Sequence, residues 1–252
     1  MSTKTIKSDA LGTRMKRYEA ASNFVLPIRS YVMIRIDGKA FKTYTKGLER
    51  PYDAGLIEDM NETAAFLCKN IMGAKFAYVQ SDEISILLTD FDSLETQAWY
   101  DNQVQKMVSI AASTATAIFN QLRFKRTGKD KLAMFDARVF VLPNRIEVEN
   151  YLIWRQKDGT RNSISAAAQA LYSTEELKGV GSNAKQELLF QKGINWNDYT
   201  FREKRGGIIA KRIVANTLEG KETGLIRTKW RMIDTPIFTQ DRAFFETLIP
   251  NN

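Results

Sequence analysis

Two apolar runs in this chain end in carboxylates, and that pattern limits the fold more than any other feature. The first is YVMIRIDGKAF (31–41), with Asp37 at the end of the run. The second is FAYVQSDEISILLTD (76–90), interrupted by Asp82 and Glu83. Both are rich in β-branched and aromatic residues and read as strands. A carboxylate at the end of such a run lies beside the core, where an unpaired negative charge is expensive. Charges in such places are paired or bound to metal. One amphipathic helix separates the two runs, so neighbouring strands can bring Asp37 and Asp82 side by side. Paired carboxylates with no other strong ligand type suit Mg²⁺ and phosphoryl chemistry.

Composition narrows the chemistry further. There is no histidine among the 252 residues. That excludes a Ser-His-Asp triad, a histidine general base and any histidine metal site. The single cysteine, Cys68, excludes an intramolecular disulfide and a cysteine zinc cluster. It falls in a helical apolar pattern and reads as a small buried hydrophobe. Catalysis is left to carboxylates, Lys, Arg, hydroxyls or a hard metal ion. The net charge of +8 points to a polyanionic partner: nucleic acid, nucleotides or an anionic membrane. No stretch approaches the roughly 18 apolar residues of a membrane span. The first twenty residues lack the apolar core of a signal peptide, and a cytoplasmic location is expected.

The first 143 residues parse as βαββαβ, the ferredoxin-like arrangement. Strands are expected at 31–37, 76–81, 84–89 and 135–143, and helices at 55–71 and 95–122. The first helix carries Leu56, Met60, Ala64, Leu67 and Ile71 on one stripe. The second turns Val104, Val108, Ala111, Ala115, Ile118 and Leu122 inward. The expected fold is α+β, an antiparallel sheet with two helices on one face and the other face free to carry a site. Nucleic-acid polymerase palms and nucleotide cyclases share this layout. Residues 144–252 form a second half of helices (148–158, 161–172, 185–190, 241–249) and a β-hairpin (206–234) turning around Gly220 to Gly224. Ser173 and Glu176 have capping-box spacing. No Pro/Gly/Ser-rich linker divides the halves, so they are expected to pack together.

Asp37-Gly38 is a common turn pair, yet here it ends an apolar strand, and Gly38 lets backbone approach a ligand. Ser81-Asp82-Glu83 lacks the Gly or Asn that tight hairpins favour. In extended geometry adjacent residues face opposite sides. Asp82 is therefore assigned beside Asp37, with Glu83 supporting. RFKRTGKDK (123–131) has five positive residues and one negative, and reads as a solvated loop or an RNA contact. Lys106 reads equally as a surface lysine. WRQKDGTRNS (154–163) is either a satisfied polar joint or a recognition surface.

At these residues the chain resembles the tRNA(His) guanylyltransferase family, especially its Thg1-like branch of reverse-direction (3′–5′) RNA polymerases. The resembling segments are RIDGKAF (35–41), RPYD (50–53), YVQSDEIS (78–85), FDARVFVLP (135–143), YLIWRQKD (151–158) and GINWND (193–198). They cover nearly the whole chain in order. The resemblance implies a polymerase-palm core with two Mg²⁺ ions held by Asp37, Asp82 and the Gly38 carbonyl, and Glu83 as an essential neighbouring carboxylate. It puts Gly38, Lys39, Ala40, Phe41, Lys42 and Ser81 along a nucleotide triphosphate, with Arg50, Lys106 and Asn162 also at the nucleotide. Arg123, Lys125, Arg126 and Arg155 are the candidate RNA contacts. ATP and GTP or other NTPs are the implied substrates, tRNA the partner, and a homotetramer the assembly.

The chain departs from the family in one telling segment. Members dedicated to tRNA(His) carry H-I-N-N-L-Y-N after the W-R-Q-x-D block. This chain has Thr160-Arg161-Asn162-Ser163-Ile164, and Lys42 stands where the family has a histidine after D-G. The expected activity is therefore template-directed addition of nucleotides to the 5′ end of truncated tRNA. A dedicated tRNA(His) guanylyltransferase is the alternative. Two further rivals are a palm-type cyclase acting on free nucleotides and a non-catalytic RNA-binding protein. The last predicts surface aromatics on central strands.

Overall fold

The computed structural model describes residues 10–218 and 221–252. Six antiparallel strands form one sheet: β1 (Tyr31–Gly38), β2 (Ala74–Gln80), β3 (Glu83–Leu88), β4 (Phe135–Leu142), β5 (Gly207–Leu218) and β6 (Lys221–Ile233). Their order is β4-β1-β3-β2-β5-β6. Helices α1 (Ala10–Ala20), α2 (Phe41–Tyr44), α3 (Ala54–Asn70), α4 (Val104–Thr127), α5 (Arg145–Gln169), α6 (Ser182–Gln191) and α7 (Phe201–Arg205) complete the fold. The βαββαβ core is thus β1-α3-β2-β3-α4-β4, with α2 inserted after the first strand.

The expected stripe on α3 is observed: Met60, Ala64, Leu67 and Ile71 are buried. Asp53 caps this helix by accepting from the Leu56 amide at 2.7 Å. On α4 the buried face runs Met107, Ala111, Ala115, Phe119 and Arg123. Ala111 and Ala115 are as expected, but the face is rotated from Val108, Ile118 and Leu122. The large Phe119 takes the central place, against Phe41 and Phe135. α3 and α4 cover one face of the sheet.

The opposite face is not free. Val148, Tyr151 and Leu152 of α5, with Phe238 and Phe245, pack on Tyr31, Met33, Phe76, Tyr78 and Leu87. Both faces of β3 are therefore buried, and all six of its residues with them. The site is confined to one end of the sheet. The two helices expected at 148–158 and 161–172 are one continuous helix, α5, because Gly159 sits inside it without ending it. A Cβ there would meet Gln80 at 2.7 Å, so this glycine gives α5 its close approach to β2.

The second half extends the sheet as well as packing on it: β5 pairs with β2, from Phe76↔Ala210 to Val79↔Gly207. The expected hairpin is β5–β6, with Leu218 paired to Lys221. Gly224 lies within β6, and residues 219 and 220 of the expected turn lie outside the described residues. Ser173 and Glu176 exchange the reciprocal capping bonds at 2.7 and 3.3 Å, but only turns follow them. The tail helix expected at 241–249 is a short 3₁₀ turn, Ala243–Thr247. No helix among the described residues is long and apolar enough to cross a membrane.

Candidate active site

The site forms where β1 ends against the β2–β3 turn. Gln80 pairs with Glu83, leaving Ser81 and Asp82 as a two-residue turn with Ser81 at φ 52°. A non-glycine residue in that region stores strain, which persists where the surroundings hold it. The Gly38 amide donates to the Asp82 carbonyl at 3.1 Å and ties the turn to the end of β1. Asp37 is close enough to Asp82 for its charge to be felt there. The Asp82 carboxyl is pushed up to about 6, first by burial and further by the Asp37 charge.

Gly38 has a local reason to be glycine. A Cβ at that position would meet the Phe41 ring at 2.2 to 2.7 Å. The chain then turns through Ala40 at φ 54° into α2. The Lys39 amide is taken by the Met134 carbonyl at 2.8 Å, so it is not a free donor for phosphate.

Glu83 stands opposite Asp37 in the β1–β3 register and faces the same side of the sheet. It is 5% exposed and does not open to the site. Arg155 grips it through Nε at 2.7 Å and Nη2 at 2.6 Å, and Arg35 Nε lies 3.0 Å away. Arg35 also reaches Asp37 at 3.6 Å. Glu83 therefore acts on the site through Arg35 and the strand pairing. Strand alternation does not separate Asp37 from Glu83: the two share a side of the sheet, and Asp82 lies in the turn outside the alternation, where the Asp37 charge reaches it.

A cavity of about 710 Å³ opens beside Asp82. It brings together Phe41, Lys42, Arg50, Ser81, Asp82 and Asn162 of the expected residues. Its size lies within the range of small-ligand sites. Asp37, Gly38, Lys39 and Ala40 adjoin it without lining it.

Other expected residues lie elsewhere. Lys106 stands over the Tyr100 ring, 5.0 Å from its centre. Arg123, seventeen residues further along α4, lies 3.5 Å from Asp53 of the cavity wall. At 1.5 Å per residue Lys106 is about 26 Å from that end of the helix. Within this chain it does not reach the cavity. Arg123 and Arg155 are each 5% exposed and are corrected as RNA contacts. Arg123 and Arg126 hold Asp59, fully buried, at 3.0 and 2.7 Å. Leaving Asp59 unpaired inside the core would be costly, so these arginines are structural. Lys125 and Arg126 are both exposed, Arg126 keeping its Nε on Asp59, so of the three Lys125 is the exposed cation with no part in holding Asp59.

Sequence reasoning missed other residues of the cavity lining: Tyr52, Gln80, Ser165, Tyr172 and Arg202. Tyr52 donates to the Ser163 carbonyl at 2.9 Å and joins the RPYD segment to α5. In sequence, Gly159 followed by small residues was the available signal that α5 runs close to the sheet. Nothing local marked Arg202, which lies in a run of charges that reads as a solvated face.

Comparison with known proteins fits this geometry. A family model described as tRNA(His) guanylyltransferase matches residues 12–143. The chain is 32% identical to the tRNA(His) guanylyltransferase of Schizosaccharomyces pombe over 209 residues, 77% of each chain. A bacterial tRNA(His) guanylyltransferase (Thg1)-like protein solved in complex with ATP is 44% identical, with a TM-score of 0.85 over 96% of this chain and 100% of that one. The corresponding complex with GTP gives 44% and 0.81, over 95% and 99%. With the palm-type core, the paired aspartates and these matches in hand, this chain belongs to the tRNA(His) guanylyltransferase family.

Proposed function

We propose that this chain is a Mg²⁺-dependent 3′–5′ nucleotidyltransferase that adds templated nucleotides to the 5′ end of truncated tRNA. One observation carries the reading. Asp82, Lys42, Arg50 and Asn162 border one cavity, in a fold 44% identical to proteins solved with ATP and GTP.

The donor set fits Mg²⁺. Among the described residues no group of three or more Asp, Glu, His or Cys side chains converges as a closed cage. Mg²⁺ is commonly bound by one or two carboxylates together with substrate phosphates and waters. Asp37 and Asp82 supply two hard oxygen ligands, and the Gly38 carbonyl is the third donor implied by resemblance. When bound, the metal lowers the pKa of an attacking hydroxyl and offsets charge on the phosphates.

The protein's own groups do the remaining work. Lys42 and Arg50 neutralise the triphosphate. Ser81 and Asp82 bring a hydroxyl and a carboxylate to the cavity lining, and Asn162 adds an amide. In the expected sequence of steps, the RNA 5′-phosphate attacks the α-phosphorus of ATP and pyrophosphate leaves. The 3′-hydroxyl of an incoming NTP then attacks the activated 5′-phosphate and AMP leaves. With no histidine in the chain, the hydroxyl proton passes to solvent or to an oxygen base.

Base pairing with the opposite strand selects the nucleotide, so RNA binding rests on shape and phosphate contacts. The names of the curated relatives favour the second reading, a dedicated guanylyltransferase; Thr160 to Ile164 favour repair. Assembly as a homo-oligomer belongs to the same proposal. Helix α1 has no buried residue within the single chain, and Leu11, Tyr18, Phe24 and Ile28 are exposed. A cytoplasmic location is also part of it. The test is incubation with a 5′-truncated tRNA, Mg²⁺ and labelled NTPs. Growth at the 5′ end supports the reading, and turnover of NTP without RNA favours a cyclase.

A further inference from the structure

Arg202 is a cation held in place by a neutral partner. Its Nε and Nη2 both donate to the Asn61 side-chain oxygen on α3, at 3.2 and 2.6 Å. Among the described residues no ion pair engages it. Glu203, its neighbour, is spent on capping α7 through the Thr200 amide and hydroxyl. Burial pulls the Arg202 guanidinium down to about 10. The Glu58 carboxylate on α3 is felt at Arg202 but makes no ion pair with it among the described residues, and a half-buried guanidinium so weakly matched gains by meeting an anion. Arg202 also lines the cavity that holds Asp82, Lys42 and Arg50.

We propose that Arg202 is a phosphate anchor, whose fork, fixed on one side by Asn61, takes a phosphate group of the substrate on the other. The proposal deepens the nucleotidyltransferase reading and rests on it for the substrate class. Two substrates carry the required chemistry: the polyphosphate of an NTP and the 5′-phosphate of the RNA. Arginine suits the task because its planar fork pairs with phosphate oxygens in a fixed geometry. Asn61 orients the fork without cancelling its charge, which a carboxylate in its place would do.

That contrast supplies the test. Arg202→Gln removes the charge and also a tether between α7 and α3. Asn61→Asp leaves Arg202 intact but gives it a counter-charge within the protein. Binding of inorganic tripolyphosphate to each variant is measured by calorimetry. In parallel, affinities are compared for truncated tRNA bearing a 5′-phosphate or a 5′-hydroxyl. The expected result is a roughly ten- to hundredfold loss of tripolyphosphate affinity in both variants, with Asn61→Asp more resistant to heat than the parent when no ligand is present. Loss of the preference for 5′-phosphate RNA in both variants instead assigns the anchor to the RNA end. If either Asn61→Asp or Arg202→Gln retains both the tripolyphosphate affinity and the 5′-phosphate preference, the proposal is overturned. A parent that binds tripolyphosphate but adds nothing to RNA sinks the nucleotidyltransferase reading and leaves the anchor standing.

Discussion

Glu83 lies directly opposite Asp37 across the β1–β3 ladder, yet its carboxylate belongs to Arg155, which holds it through two bonds of 2.7 and 2.6 Å. The pair keeps a further carboxylate beside Asp37 and Asp82 without adding a free negative charge. Both partners are buried, so breaking the pair leaves the Glu83 carboxylate with Arg35 as its remaining cation and without its two strongest bonds. Arg155→Ala should cost about 3–5 kcal/mol of stability, read by urea unfolding. The salt dependence of RNA binding should stay as in the parent. A stable Arg155→Ala variant with weakened RNA binding would return Arg155 to the RNA surface.

Asp82 sets a pH signature for the metal-free protein. Its carboxyl is raised from 3.8 to about 6 in the folded chain. Between these values the folded state keeps the proton that the unfolded chain has lost. Stability therefore falls as pH rises from about 4 to about 6, by up to about 3 kcal/mol, and this contribution is flat above. Asp82→Asn should remove that slope and be the more stable protein at pH 7.5 in chelator, while losing nucleotide addition. Parallel stability–pH curves for parent and variant would contradict this account of Asp82.

Arg50 and Lys106 are expected to separate. Arg50 lines the cavity, so Arg50→Ala should raise the KM for NTP about tenfold or more. Lys106 is exposed at the other end of α4, and Lys106→Ala should change KM and kcat by no more than about twofold. A large nucleotide defect in Lys106→Ala would mean that a second copy of the chain brings this residue to the site.

These contrasts show how much of the molecule was legible in sequence. Strand alternation and the α3 stripe were readable because local periodicity fixes them. The carboxylates were readable because their place at the end of apolar runs is physically odd. What β1, α5 and α7 do together was not readable, since it depends on packing between segments far apart in the chain. Arg123 and Arg155 looked like surface cations because their partners, Asp59 and Glu83, are more than sixty residues away. The cover over the second sheet face was missed for the same reason. Tyr151 and Leu152 sit in a helix of mixed polarity, and only the sheet beneath shows which face they bury.

RNA affinity should fall steeply with salt, because phosphate contacts release condensed counterions. Lys125→Ala should flatten the slope by about one unit. Arg123→Ala should instead destabilise the fold by leaving the buried Asp59 short of a partner. An unchanged slope in Lys125→Ala would move the RNA path away from the end of α4.

Templated addition at a 5′ end and dedicated guanylylation predict opposite outcomes on two substrates. The protein is given Mg²⁺, all four NTPs and either a tRNA lacking its first 5′ nucleotide or an intact tRNA(His). Thr160-Arg161-Asn162-Ser163 replace the segment of dedicated enzymes, so faster addition to the truncated tRNA is predicted, with the added base following the opposing base when that base is changed. Faster addition of G to intact tRNA(His), whatever base stands opposite, would contradict the repair reading and make the chain a dedicated guanylyltransferase.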